Sequence, residues 1–389
     1  MRHTHQVSGN LLTLLQGGSE YFPQLCTDID AAQYSIYLES YIFAADKTGR
    51  LISDALQRAA ARGVEVRVLL DGYGSAELPQ SWVDDLRECD VKVRWFRRDI
   101  SPFTFRRNVK RRLRRMHRKM VAVDGKVAFV GGINIVNDIP PNTGITVPQL
   151  DFAMRVQGPV AGNIHLAMQH LWNVVSWANF RRRGKRIRLP KAASQRPVID
   201  PDIGLVLRDN VRHRRDIEKF YMKAIYGAER EIVIANAYFL PGRKFRKALI
   251  EAALRGIRVV LLLQGRVEFW IQHYATHALY DELLAAGVEI YEYQSSYLHA
   301  KVAVIDGFRA TVGSSNIDPF SLLLAREGNI ALRHAGFAGQ LRSSLFSIIE
   351  NDASRVVPSR GDYLTSILSR ISYGVIRFLV GVVAFSRWP

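Results

Sequence analysis

Apolar and polar positions alternate along the chain in short stretches that follow one another in a β–α–β rhythm. Ser35 to Phe43 (SIYLESYIF), rich in β-branched and aromatic residues, predicts a strand. Leu51 to Arg62 places its apolar residues at helical spacing and Gly63 ends it. Val64 to Leu70 (VEVRVLL) predicts the next strand, Gln80 to Arg87 a helix and Val91 to Phe96 another strand. The same order returns later. Glu231 to Phe239 (EIVIANAYF) predicts a strand, Lys244 to Arg255 a helix closed by Gly256, and Ile257 to Leu263 (IRVVLLL) a strand. Tyr280 to Ala286 and Val288 to Tyr293 repeat the last helix and strand.

The segments AAARGVEVRVLLDG and AALRGIRVVLLLQG make the duplication visible. A repeat of roughly 190 residues is far too long for a solenoid and means two similar domains. Alternating strands and helices predict an α/β protein of two lobes, each a mostly parallel sheet flanked by helices. The expected division is residues 1–190, residues 191–360 and a tail, 361–389. A helix near Gly162 to Ala178 closes the first lobe. Arg181 to Asp202, basic and then polar with prolines, reads as an exposed connection.

Each half carries one compact polar motif just after its last repeated strand. The first is His117-Arg118-Lys119 running to Asp124, followed by Gly131-Gly132-Ile133-Asn134. The second is His299-Ala300-Lys301 running to Asp306, followed by Gly313-Ser314-Ser315-Asn316. His and Lys two apart in a strand-like run share a face. Phosphodiester transfer needs a nucleophile, a proton donor for the leaving alkoxide, and positive donors around the phosphoryl oxygens. Two imidazoles can be the nucleophile and the acid/base, while Lys119, Lys301, Asn134 and Asn316 stabilise the oxygens. Neither half is complete alone, so the site is expected between the lobes, with one lobe supplying the attacker and the other the acid. A nucleophilic imidazole needs a carboxylate on its other nitrogen. Each half offers a downstream candidate, Asp151 after His117 and Glu327 after His299. Asp124 and Asp306, counted with the catalytic motifs, are expected to anchor backbone or cross-lobe contacts. Glu39 and Asn236, at the ends of the repeated first strands, are candidate pocket-lining residues.

Composition narrows the partners. Of the 389 residues, 48% are hydrophobic and 23% charged, the balance of a folded chain, and the net charge of +18 points to a polyanion. Two cysteines exclude a disulfide framework and a cysteine-rich zinc site. No cleavable export signal is expected, nor is any uncharged run long enough to span a bilayer. Arg106 to Arg115 (RRNVKRRLRR), beside His117, predicts attraction to anionic headgroups. Tyr363 to Pro389, apolar but interrupted by arginines, predicts an interfacial segment with Trp388 at headgroup depth. His273 and His277, four apart on a predicted helix, lack a third ligand and read as packing residues.

HRKMVAVDGKVAFVGGINI and HAKVAVIDGFRATVGSSNIDPFS resemble the paired motifs of the phospholipase D superfamily, over about residues 10 to 355. LESYIF, LLDGYGS, RRMHRKM, DFAMRVQGPV, ANAYFLP and TVGSSNIDPFSLLLAREGNI are similar to bacterial cardiolipin synthases of the type B branch, which lacks an N-terminal membrane-spanning pair. The resemblance implies phosphatidyl transfer between two phosphatidylglycerols through a phosphohistidine, with no metal or other cofactor. It makes His117 the attacker and His299 the acid/base. It also implies peripheral association with the cytoplasmic face of the inner membrane, anionic phospholipids as partners, and no nucleic acid. Ala325 departs from the family, where Asn often stands shortly before the acidic residue. A hydrolytic phospholipase D and a nuclease with the same motifs are the alternatives.

Overall fold

The apolar runs fold as two eight-stranded sheets, one for each repeat. The computed structural model describes residues 3–98, 114–139, 143–178, 200–357, 368–369 and 371–375. The first lobe runs β1 (Thr4–Val7), β2 (Asn10–Gln16), α1 (Gly17–Asp30), β3 (Ser35–Ser40), α2 (Lys47–Ala61), β4 (Glu65–Asp71), α3 (Gln80–Glu88) and β5 (Lys92–Phe96). It continues through β6 (Met120–Val123), β7 (Val127–Gly131), β8 (Phe152–Gln157) and the long helix α4 (Pro159–Ala178). The second comprises β9 (Ile203–Arg208), α5 (Asp216–Tyr226), β10 (Glu231–Asn236), α6 (Arg243–Leu254), β11 (Arg258–Gln264), α7 (Trp270–His277), α8 (Tyr280–Ala285) and β12 (Glu289–Tyr293). It ends with β13 (Lys301–Ile305), β14 (Arg309–Gly313), α9 (Pro319–Leu323), β15 (Glu327–Arg333), α10 (Ala335–Asp352) and β16 (Ala353–Arg355).

The sheet orders are β1-β2-β8-β7-β6-β3-β4-β5 and β16-β12-β11-β10-β13-β14-β15-β9. The two-lobed α/β architecture matches the sequence pattern, but the expected mostly parallel sheet gives way to a mixed one. Only β3-β4-β5 and β10-β11-β12 are parallel, the strands joined by helical crossovers. The motif strands form tight antiparallel hairpins instead, β6 with β7 and β13 with β14. Their cause is the Asp-Gly pair that follows each motif. Asp124 and Gly125 have φ of 53° and 64°, and Asp306 and Gly307 of 56° and 74°, the left-handed pair at the centre of a tight turn. Each turn is closed by a backbone bond, from the Lys126 N–H to the Val123 carbonyl and from the Phe308 N–H to the Ile305 carbonyl, in connections of three residues.

These aspartates also bind the neighbouring strand. The Asp124 carboxylate accepts hydrogen bonds from the backbone of Gln33, Tyr34 and Ser35 at 2.8–2.9 Å, fixing the start of β3. Asp306 receives the equivalent bonds from Glu229, Arg230 and Glu231 ahead of β10. The clamps lie roughly 17 Å of extended chain beyond the motif lysines, so neither aspartate shares the chemistry. Their backbone-anchoring expectation holds within each lobe, not across lobes.

Three apolar clusters hold the layers together. One packs α1, α2 and α3 against the outer face of the first sheet, and a second packs α5 to α8 against the second. The third is common to both lobes. It joins Met120, Val130 and Met154 with Val302, Val312 and Ile330, beneath residues of α4 and α10. The basic run 106–113, the connection 181–199 and most of the tail 361–389 lie outside the described residues. Among the described residues no helix is long and apolar enough to cross a membrane.

Charge-assisted bonds of this kind contribute about 1.5–3 kcal/mol each. Asp306→Ala is therefore expected to cost about 3 kcal/mol in a urea titration, whereas Asp306→Asn, which still tolerates the left-handed turn, costs less. Equal midpoints for Asp306→Ala and the unaltered protein would contradict the clamp.

Candidate active site

The chain entering each motif is paired with the opposite lobe. Met116 forms a parallel bridge with Arg326, and Leu298 with Leu150. The backbone N–H of His117 donates to the Arg326 carbonyl at 2.9 Å, and that of His299 to the Leu150 carbonyl at 2.8 Å. Inside each lobe a side chain steadies the same segment: buried Asp71 accepts from the Met116 N–H at 2.8 Å and part-buried Gln264 from the Leu298 N–H at 2.5 Å. Both histidines precede their strands rather than sit within them. Their lysines fold back, Lys119 donating to the His117 carbonyl at 2.9 Å and Lys301 to the His299 carbonyl.

The carboxylates pair with the histidines crosswise. Glu327 of the second lobe lies 3.0 and 3.1 Å from Nδ1 of His117, and Asp151 of the first lobe lies 2.6 Å from Nδ1 of His299. Sequence order, which offers each histidine the acid downstream of it, thus gives the wrong partners. The reason is topological. Asp151 and Glu327 stand immediately before or at the start of β8 and β15, the strands that face the other lobe across the shared core. Asp151 is 2% exposed and Glu327 fully buried, so each acid is desolvated against its imidazole. With Nδ1–H donated to a carboxylate, Nε2 carries the free lone pair of each imidazole.

Small residues make the approach feasible. A Cβ on Gly132 would lie 2.3 Å from the Asp151 carboxylate, so any side chain there would push that carboxylate from its place beside His299. The corresponding residue of the second lobe is Ser314, whose hydroxyl donates to Glu327 at 2.5 Å. The GGIN and GSSN tetrapeptides carried that difference in the sequence, but its meaning needed the crossed acids. Tyr41 packs edge-on against His117 with ring centroids 4.8 Å apart, and Lys119 lies 5.1 Å from the Tyr41 ring.

Burial governs protonation here. Desolvation pushes Lys119 down to about 7 and Lys301 to about 8, against the pull of Glu327 and Asp151. Desolvation, with Lys301 adding to it, pushes His299 down to about 4, and desolvation lowers His117 despite Glu327. Burial thus favours the neutral form of each of these basic groups, and a bound anion would favour the protonated forms.

His117, His299, Asn134 and Asn316 open on one cleft of about 980 Å³, also lined by Tyr41, Arg115 and Tyr238. Lys119 and Lys301, 3% and 0% exposed and folded back on the histidine carbonyls, do not line it, and neither do Glu39 and Asn236, which corrects the expected pocket-lining role of the last two. Nor are they equivalent positions: Glu39 pairs with Met120, the counterpart of Val302, which pairs with Ala235. Glu39 is buried 3.8 Å from Arg118, and Asn236 accepts from the Ile317 N–H at 3.1 Å, steadying the turn behind Asn316. His277 lies 2.9 Å from Glu292 and stacks on Tyr280, as a packing residue would.

The family model described as "Cardiolipin synthase, PLD-like domain" matches residues 25–138 and 221–348, once per lobe. Proteins named "Cardiolipin synthase B" from Shigella flexneri and Escherichia coli K12 are each 40% identical to the chain over 348 residues, 90% of it and 82% of theirs. The chain belongs to the cardiolipin synthase family of phospholipase D-like proteins. A "Cardiolipin synthase" of Geobacillus thermodenitrificans is 32% identical over 87% of the chain and 66% of its own length. The fold extends further: a crystal structure of phosphatidylserine synthase from Haemophilus influenzae covers 97% of the chain and is itself covered to 95%, with a TM-score of 0.69 at 13% identity. Membership in this cardiolipin synthase family makes the protein a phosphatidyltransferase of the phospholipase D superfamily, and the two matched segments deliver the two halves of the cleft.

The pKa of His299 falls from 6.5 in the unfolded chain to about 4 on folding. Between those values the unfolded state binds more protons, so stability falls as pH drops through the window. His299→Gln removes that group, and urea titrations at stepped pH are expected to show a shallower loss between pH 6.5 and 4 than in the unaltered protein. Parallel curves would contradict the burial of a neutral imidazole.

Proposed function

We propose that the protein makes cardiolipin by moving a phosphatidyl group from one phosphatidylglycerol to the headgroup hydroxyl of a second, releasing glycerol. The observation that carries this reading is the pair of imidazoles from opposite lobes, each bound to the other lobe's carboxylate and both opening on one cleft. His117 Nε2 attacks the donor phosphorus, the P–O bond to the glycerol headgroup breaks, and the departing oxygen takes a proton from His299 Nε2. The acceptor hydroxyl then returns a proton to His299 and attacks the phosphorus, breaking the P–N bond to His117. His299 takes up the proton it donates from solvent as the anionic substrate binds. From there the transfer leaves both histidines as they began, the proton given to the leaving glycerol being replaced by the one from the acceptor hydroxyl.

Lys119, Lys301, Asn134 and Asn316 hold the phosphoryl oxygens. Burial leaves the two ammonium groups at about 7 and 8, so the arriving phosphodiester binds as it draws them fully into the charged form. The same anion raises His299 from its depressed value and arms it as the acid only when substrate is present. Asp151 and Glu327 hold the tautomers and stabilise the imidazolium that forms.

Peripheral binding at the cytoplasmic face of the inner membrane fits the rim of this cleft. Tyr73 and Phe269 line it yet are 67% and 55% exposed, and Trp270 beside Phe269 is 58% exposed. Arg97, Arg98 and Arg115 stand along the same opening, suited to anionic headgroups. Acyl chains then remain in the bilayer while the phosphate reaches the histidines.

His117→Ala and His299→Ala are each expected to lower cardiolipin formation from phosphatidylglycerol vesicles by roughly 10³-fold or more while the circular dichroism spectrum stays unchanged. Full activity in either variant would refute the shared centre. Burying one such aromatic is worth about 1.5–3 kcal/mol, so Trp270→Ser is expected to weaken cosedimentation with phosphatidylglycerol vesicles by roughly tenfold. Undiminished binding would remove the rim from the membrane contact.

A further inference from the structure

The two lobes are duplicates, but the walls they present to the cleft are chemically opposed. The first lobe lines it with Arg97, Arg98 and Arg115. The second lines it with Tyr238, Glu268, Gln272 and Asp318, which carry acceptors and two carboxylates. The Tyr238 hydroxyl donates to Glu268 at 2.6 Å. Two residues past the equivalent positions Ser40 and Asn236 stand Ile42 and Tyr238, and four residues past the ends of β4 and β11 stand Ser75 and Glu268, so the first lobe offers Ile42 and Ser75 in these places. Ser75 is turned inward, donating to the Tyr41 carbonyl and accepting from the Phe43 N–H at 2.9 Å each. The carboxylate–phenol pair therefore belongs to one side of the site only.

A second asymmetry points at the same wall. Asn134 and Asn316 are equivalent, yet the side-chain oxygen of Asn134 accepts from the Ile42 N–H at 3.3 Å, whereas that of Asn316 has no hydrogen-bond partner. Asn316 is 4% exposed and lines the cleft, so its unpaired acceptor is held in desolvated surroundings. Gln272 Oε1 on this wall is likewise buried without a partner. Unpaired buried acceptors cost free energy until a donor arrives. A carboxylate placed against an anionic lipid would only repel the phosphate. Hydroxyl groups, by contrast, donate to a carboxylate and to amide oxygens alike.

We propose that Glu268, positioned by Tyr238, forms with Gln272 Oε1 and Asn316 Oδ1 a subsite for the polyol headgroup of the substrate. This rests on the transferase reading given above. The headgroup leaving from the donor and the headgroup entering from the acceptor pass through the same contacts in opposite directions, so one subsite serves both half-reactions. It seats the acceptor alcohol over the phosphohistidine and keeps water from taking its place. The arginines of the facing wall take the phosphate of the second lipid.

The test follows the partition of the phosphatidyl group. The unaltered protein, Glu268→Ala, Glu268→Gln and Tyr238→Phe are incubated with phosphatidylglycerol vesicles and equal amounts of labelled glycerol and 1-propanol. Labelled phosphatidylglycerol, phosphatidylpropanol, cardiolipin and phosphatidic acid are then quantified. Losing the carboxylate is expected to lower glycerol incorporation relative to phosphatidylpropanol by roughly tenfold, and to raise phosphatidic acid at the expense of cardiolipin. Tyr238→Phe shifts the same ratios less. An unchanged glycerol-to-propanol ratio would overturn the subsite, as would an equal fall in all four products, the mark of a purely structural residue. A preference of the unaltered protein for ethanolamine over glycerol would overturn the polyol assignment. If the unaltered protein transferred phosphatidyl groups to no alcohol at all, the transferase reading would fail and the subsite with it.

Discussion

Each histidine of the centre is bound to a carboxylate that the other lobe supplies, and the rest of the site depends on that exchange. The bonds from Glu327 to His117 and from Asp151 to His299 fix both tautomers and leave both Nε2 atoms unpaired. Because each acid lies at the root of a strand packed on the shared core, neither imidazole is oriented unless both lobes are in register. The backbone bridges at Met116–Arg326 and Leu150–Leu298 enforce that register beside the histidines themselves. Duplication thus does more than supply two copies of a motif. It makes each copy complete the other.

The low dielectric that makes these bonds strong also favours the neutral forms of the basic groups beside them. Two lysines and two imidazoles are pushed towards their neutral forms by burial, while two carboxylates stay close to them. An arriving anion would favour the protonated forms of these basic groups, so in the proposed reaction the binding of the phosphodiester and the arming of His299 are one event.

Much of this was legible in the chain. The repeated strand–helix–strand order gave the two lobes, and the paired His-x-Lys motifs with their downstream Asn residues marked the residues that line or flank the cleft. What failed were inferences that depended on strand pairing. Helical crossovers make parallel sheets the natural expectation, although the Asp-Gly pairs after Val123 and Ile305 are hairpin signals, and five of the seven strand pairings in each sheet are antiparallel. Glu39 and Asn236 looked equivalent by position along similar segments, but a one-residue difference in register puts them on alternate places of their strands. Asp151 and Glu327 were recognised as the partners of the imidazoles, yet sequence spacing cannot say which carboxylate crosses an interface. Gly132 and Ser314 stand in the marked tetrapeptides, but what their difference does depends on the crossed acids, and Glu268 carries no signal until the cleft walls are placed around it.

The crossed pairing is most directly tested by the titration of the two histidines in solution, followed through their imidazole ¹⁵N resonances in Glu327→Gln and Asp151→Asn. Glu327→Gln is expected to change the tautomer balance of His117 and leave that of His299 in place, with Asp151→Asn doing the reverse. A change at His299 on losing Glu327, with His117 untouched, would contradict the crossed pairing.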